Sequence, residues 1–274
     1  MKKVLLATSA LMLVAGAAAA EVAVSGSARM GVVYNGTDAE FSSRVRVSFS
    51  MSGETDGGLA FGASVRADQS GQGGTANGDS TVYISGAFGK LTMGDVGGAA
   101  DALVGQVSGV GYTGLGDVNE IGFLGTDKTA VYYEYTTGAV TFGVGAGQTT
   151  GANENINVGV KYAGSNFTVA LGYEDSATDS QISAKGTMTF GSATVKAKVA
   201  DRDSAADMAS ALSVDFAAGG ATITAFVSQN QNFAGNDGAG IGASYDLGGG
   251  ATLSGGIVDN GTDTVADLGV SFSF

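Results

Sequence analysis

The sequence predicts an all-β fold, a transmembrane antiparallel β-barrel of sixteen strands with one long loop folded inward. Three observations lead there. The chain reads as short segments in which apolar residues alternate with polar or tiny ones. The charges inside those segments keep to one face. The two ends carry a secretion leader and a strand that stops on an aromatic residue.

The final run, Val265 to Phe274, places Ala266, Leu268, Val270, Phe272 and Phe274 at every second position. That is the period of a strand with one apolar face. A barrel in a bilayer must pair its last strand with its first, because an open edge would leave backbone groups unsatisfied in lipid. At the other end, Lys2 and Lys3 precede the apolar run Val4 to Ala15, and Ala18-Ala19-Ala20 precede Glu21. This pattern predicts a signal peptide over residues 1–20. The apolar run is too short for a membrane anchor, and no basic flank follows it. The barrel domain is then 21–274.

No later stretch approaches the ~20 consecutive apolar residues of a membrane helix. Yet 44% of residues are hydrophobic and only 14% charged, which suits apolar surface spread over many short strands. Glycine is abundant at 47 residues, and Pro, Cys, His and Trp are absent. Glycine disfavours helix and suits tight turns and curved sheet. Without cysteine the fold has no disulfides. After the leader, 11 basic residues face 26 acidic ones, a net charge of −15. Nucleic acid is excluded as a partner, since phosphates need a basic surface.

The sixteen segments begin near Val22, Phe41, Leu59, Ser80, Lys90, Lys128, Ala139, Asn155, Asn166, Gln181, Ser192, Asp207, Ala221, Gly238, Ala251 and Asp263. A strand of ~10 residues, tilted ~45°, spans the apolar band of a barrel. Tight turns at Phe88-Gly89-Lys90, Thr137-Gly138-Ala139, Gly191 and Leu247-Gly248-Gly249 alternate with longer polar links such as Asp68 to Asp79. Short turns at one rim and longer loops at the other are a barrel signature, and an even count puts both ends on the periplasmic side. Arg29, Arg44, Arg46, Arg66, Lys161, Lys185, Lys196, Lys198, Asp215 and Asp267 all oppose the apolar residues of their segments. A charge facing lipid at mid-membrane costs ~2–4 kcal/mol for Arg or Lys, so this segregation favours lipid outside and water inside. A soluble β-sandwich would fill its apolar faces with large aliphatics, whereas here they hold many Ala and Gly.

One insertion, about 96–127, breaks the rhythm. It holds a short helical stretch, Ala99 to Val104, followed by Val110, Tyr112, Leu115, Ile121, Phe123 and Leu124. Those apolar groups predict packing rather than an exposed loop, and long ordered loops are usually functional. Sixteen strands enclose an aqueous lumen, where such a loop would narrow the opening. Four of the five arginines after the leader, Arg29, Arg44, Arg46 and Arg66, lie on the first three strands facing the lumen. The loop carries Asp101, Asp117, Glu120 and Asp127. Acid against base would set a transverse field that orders water and disfavours apolar solutes.

The sequence resembles the bacterial outer-membrane general-diffusion porins, in particular the trimeric Rhodobacter-type porins. The resemblance rests on ARMGVVYNG at Ala28 to Gly36, FSSRVRVSFSMSGETDGGLAFGAS at Phe41 to Ser64, SGAFGKLTMGD at Ser85 to Asp95, GIGASYDLGGGATLSGGIVDN at Gly240 to Asn260, and the terminal VADLGVSFSF. It implies that the insertion is a third outer loop folded inward as an eyelet. It also implies a homotrimer in the Gram-negative outer membrane, in contact with lipid and lipopolysaccharide, passing small hydrophilic solutes and ions. The family's basic wall cluster maps onto Arg29, Arg44, Arg46 and Arg66, and its eyelet acids onto Asp95, Asp101, Asp117, Glu120 and Asp127. Some relatives hold calcium in this loop. Here Asp117, Asn119, Glu120 and Asp127 offer the oxygen ligands calcium accepts, without the spacing of an EF-hand, and no cofactor is required.

The acidic mouths predict modest cation selectivity. A hydrolytic barrel enzyme is disfavoured, because the common arrangements use His as base and the chain has none; no catalytic residues are assigned. A plugged barrel is disfavoured by the small lumen-facing residues Ser25, Ser42, Gly62 and Ser64.

Overall fold

The computed structural model describes residues 20–70, 74–125, 130–147, 154–231, 233 and 235–274. The predicted signal peptide, Ala20 excepted, and Asp127 lie outside them. The described residues form sixteen strands: β1 (Glu21–Tyr34), β2 (Ala39–Glu54), β3 (Ala60–Ser70), β4 (Gly74–Gly86), β5 (Gly89–Gly94), β6 (Ala130–Thr137), β7 (Val140–Ala146), β8 (Asn155–Ala163), β9 (Phe167–Ser176), β10 (Ser180–Phe190), β11 (Ala193–Arg202), β12 (Ala209–Ala218), β13 (Ala221–Gln231), β14 (Asn236–Gly248), β15 (Ala251–Asp259) and β16 (Thr264–Ser273). Each pairs antiparallel with its sequence neighbour, and β16 pairs with β1 to close the barrel.

Closure runs in register from Ser27 opposite Ser273 to Tyr34 opposite Ala266. Phe274 extends it: its N–H donates to the Gly26 carbonyl at 2.9 Å, and the Gly26 N–H donates to the Phe274 carbonyl at 3.2 Å. No strand edge is left open in lipid, as the bilayer demands. The apolar alternates, among them Val24, Met30, Leu171, Ile241 and Leu268, are exposed on the outer face. In water so continuous an apolar surface would drive association; in a bilayer it is the lipid contact. The predicted tight turns form, with Gly138 at φ 58° and Gly191 at φ 59°, a left-handed conformation that glycine adopts without steric cost.

One link is shorter than its sequence predicts. Asp68 to Asp79 reads as a polar connection, but β3 runs to Ser70 and β4 starts at Gly74, with Ala67 opposite Asn77 and Ser70 opposite Gly74. The pair shifts register between Val65 and Ala67. The backbone ladder therefore continues where the apolar alternation has stopped.

Candidate functional site

Between β5 and β6 the chain turns into the barrel. Helix α1 (Gly98–Val104) packs against β6 to β10. Its buried residues Ala99, Ala100, Leu103 and Val104 rest on three glycines that are direct cross-strand neighbours, Gly143 with Gly159 and Gly159 with Gly172. A Cβ on Gly172 would lie 2.8 Å from the Ala100 methyl, and one on Gly159 would lie 2.8 Å from the Ala99 carbonyl oxygen. The helix fits because these wall positions carry no side chain. Its first turn has no side-chain cap of its own. Instead Asn157 on β8 accepts from the Ala99 N–H at 2.5 Å, satisfying one of the donors a helix start leaves open.

The loop then follows the wall. The Ser108 N–H donates to Ser213 Oγ at 3.0 Å, and the Ser108 hydroxyl donates to Asp215 at 2.7 Å. Val110 sits over the cross-strand pair Gly242 and Gly256, and Tyr112 over the pair Gly31 and Gly269. At the tip, Asp267 accepts from the Tyr112 N–H (3.2 Å), the Thr113 N–H (2.8 Å) and the Thr113 hydroxyl (2.6 Å). Returning, Ser228 donates to the Val118 carbonyl at 2.7 Å, Gln181 to the Gly122 carbonyl at 3.0 Å, and Asn155 to the Gly125 carbonyl at 2.9 Å. Glu174 accepts from the Leu124 N–H at 3.2 Å. Two small apolar clusters complete the seat: Val107 and Ile121 with Ala200, Ala209 and Ala211, and Val110, Leu115 and Val118 with Phe226 and Val258.

These anchors fall on β8 to β16, and Arg29 on β1 adds one more. Its guanidinium donates to the Tyr112 carbonyl at 3.1 Å and lies 5.8 Å from that ring's centroid. Arg29 therefore belongs to the seat of the loop tip, although it is also the direct cross-strand neighbour of Arg44. Arg44, Arg46 and Arg66 stand on β2 and β3, where none of these anchors falls. Asp68 bridges two of them, 2.7 Å from Arg46 Nε and 3.1 Å from Arg66 Nε. The charges acting on Arg44 are Arg29, Arg46, Asp68 and Arg66.

The five predicted acids do not form one cluster. Asp101, on α1, and Glu120, on the returning limb, are close enough to interact electrostatically, and both feel Lys198. Burial pushes the Asp101 carboxyl above its ordinary range against the opposing pull of Lys198 and Lys185. Burial also raises Glu120, and Asp117 adds to it. Asp117 is exposed at φ 53°, and its carbonyl accepts from the Glu120 N–H at 2.9 Å. Asp95 precedes the helix, its N–H donating to the Ser80 carbonyl at 2.9 Å.

Of the four residues that offer oxygens to calcium, the described ones are Asp117, Asn119 and Glu120. Asn119 is buried and its side-chain amide donates to the Val107 carbonyl at 2.9 Å, which commits it to the loop's interior. Asp117 and Glu120 are the described carboxylates of the set, and Asp127 lies outside the described residues. Among the described residues no group of three or more acidic or other metal-binding side chains is placed to hold an ion.

Sequence reasoning missed Asp68, Asn155, Asn157, Glu174 and Gln181. It placed Lys185, Lys196, Lys198, Asp215 and Asp267 on the lumen side without assigning them to the loop. The available signal was glycine at lumen-facing mid-strand positions on adjacent strands, where a strand otherwise gains nothing from it.

The profile of the family described as Gram-negative porin matches residues 7–265. A porin of Rhodobacter capsulatus is 41% identical over 304 residues, covering 93% of this chain and 100% of that protein. Among solved structures, a porin refined at 1.8 Å is 37% identical with a TM-score of 0.79, over 93% of this chain and 100% of that one. A triple mutant of Rh. blastica porin is 24% identical with a TM-score of 0.78, over 92% of this chain and 100% of that one; that likeness bears on the fold alone.

Proposed function

The chain belongs to the Gram-negative porins, outer-membrane channels for passive diffusion, and we propose that it passes small hydrophilic solutes and ions through an eyelet between its inward loop and the arginines of β2 and β3. The observation that carries this reading is the path of the loop. It is strapped along the wall from β6 round to β1, so it narrows the lumen without crossing it. Arg44, Arg46 and Arg66 form the basic side of the eyelet, with Arg29 at its edge. Asp101 and Glu120 form the acidic side, with Asp95 and Asp117 toward the mouth. Ordered water between them is displaced only at a cost by apolar solutes.

Transport needs no catalysis, so the chain is a channel and not an enzyme. The selectivity is modestly for cations. The net charge after the leader is −15, and Asp68 offsets part of the arginine charge. The protein works as a homotrimer among lipid and lipopolysaccharide; the small outward residues Gly26, Ala63 and Ala67 let barrels approach closely. The leader over 1–20 directs export and is removed.

The test is single-channel conductance of the refolded barrel in a planar bilayer. Nanosiemens-scale steps in molar salt, arriving in threes, with a reversal potential favouring potassium are expected. A protein that inserts and stays silent would overturn the eyelet reading. A reversal potential favouring chloride would overturn the selectivity.

A further inference from the structure

We propose that Lys198, on β11, is the positioning residue that clamps both limbs of the inward loop and supplies, from behind it, the counter-charge to the loop's acids. The assignment rests on the porin reading above.

Lys198 is 1% exposed and is the largest fully buried side chain among the described residues. Lysine is almost never buried to that degree unless its ammonium is fully partnered. Here it is. Nζ donates to Gln106 Oε1 and to the Ile121 carbonyl, both at 2.8 Å, and lies 3.8 Å from the centroid of the Phe123 ring. An ammonium has three donors and no acceptor, and these groups occupy its reach.

The partners come from both limbs. Gln106 lies on the outgoing limb, just after α1, while Ile121 and Phe123 lie on the returning one. Gln106 also ties the limbs directly: its Nε2–H donates to the Ile121 carbonyl at 3.0 Å, and its Oε1 accepts from the Ile121 N–H at 3.1 Å. Its own carbonyl accepts from Lys185 at 3.2 Å. Lys198 thus fastens a limb-to-limb clasp to the barrel wall. The neighbouring anchors from Gln181, Asn155 and Asn157 are neutral and each reach one limb.

The charge has a second consequence. No carboxylate lies within 4.0 Å of Nζ among the described residues, yet Asp101, Glu120 and Glu174 all act on it electrostatically. Asp101 and Glu120 are the acids of the proposed eyelet. While its ammonium is protonated, Lys198 therefore offsets part of the negative field that the loop presents to the lumen, and a neutral side chain would not.

The two roles separate experimentally. Lys198→Met keeps most of the unbranched side chain, one atom shorter, and removes the donors and the charge; Lys198→Arg keeps the charge. Each is compared with the unmutated protein in the same planar bilayer, recording open-channel current noise and the reversal potential in a potassium chloride gradient. Lys198→Met is expected to raise the noise several-fold and to shift the reversal potential further toward cations. Lys198→Arg is expected to hold the reversal potential. Unchanged noise and potential in Lys198→Met would overturn the assignment. So would a rise in noise with no shift in potential, because the lysine would then be a prop only.

Should Lys198→Met fail to refold, Gln106→Met opens the clasp and leaves the charge in place. It is expected to raise the noise at constant reversal potential, and quiet channels would overturn the clamp. If the unmutated barrel never conducts, the porin reading itself falls and takes this assignment with it.

Discussion

The glycine seat beneath α1 makes a prediction whose sign is unusual. Replacing Gly by Ala inside a strand ordinarily stabilises by roughly 0.5–1 kcal/mol, because the unfolded chain has less freedom to lose. At Gly172 the opposite is expected. A Cβ there would lie 2.8 Å from the Ala100 methyl and 3.0 Å from both Ala100 Cα and Val104 Cγ2. Ordinary carbon contacts are about 3.5–4.0 Å, so α1 must move by about 1 Å. The wall is a hydrogen-bonded sheet and does not yield, so the helix moves toward the lumen. Overpacking of this kind costs about 1–3 kcal/mol, more than the backbone gain returns. Gly172→Ala should therefore lower both the urea midpoint of the refolded barrel and its single-channel conductance. Gly186, on β10, is the control, since a Cβ there meets nothing within 4 Å. Gly186→Ala should raise the midpoint and leave conductance alone. Equal midpoint shifts in the two variants, at unchanged conductance, would refute the idea that glycines make room for the loop.

Two further outcomes follow from the charges. Asp68→Asn removes the carboxylate shared by Arg46 and Arg66. The arginine side chains are 29% and 36% exposed, so the stability loss should stay at about 0.2–1 kcal/mol per pair. The reversal potential should move toward anions, and a shift toward cations would contradict the wall assignment. Burial raises both Asp101 and Glu120. They therefore take up protons as pH falls before ordinary carboxylates do, and cation preference should begin to decline above the usual carboxylate range. The folded state binds more protons than the unfolded state in the window between their unfolded and folded pKa values. Stability should rise as pH falls through the folded values toward the unfolded ones. A selectivity that stays flat down to the ordinary carboxylate range would count against both groups, read as reversal potential against pH.

The barrel was legible because lipid imposes a rule the sequence cannot evade. Every second residue of a spanning strand meets hydrocarbon, so Val45, Val47 and Phe49 had to alternate with Arg44, Arg46 and Ser48. The same rule fails above the membrane, which is why the upper part of β4 reads as a link. The arginine wall was legible for the same reason as the strands. The route of the loop was not, because its contacts are made by what is missing. Gly143, Gly159 and Gly172 have no side chain to announce a partner, and they lie far from Ala99 and Ala100 along the chain. Lys198 could be placed on the lumen side by period alone. That it lies under the loop and not in open water depends on where Gln106 and Ile121 come to rest.

The division of labour between wall and loop has a physical basis. A loop folded into a barrel lumen must satisfy its backbone N–H and C=O groups without a strand ladder of its own. The wall side chains do this: Asn157, Ser213, Asp267, Ser228, Gln181, Glu174 and Asn155 all bond to loop backbone, and Asp267 takes the Thr113 hydroxyl as well. The loop's course is therefore set by barrel residues and by the glycines it lies on. Asp101 and Glu120 serve as none of these hooks. Their charge can act on what passes through the opening because holding the loop in place does not depend on it.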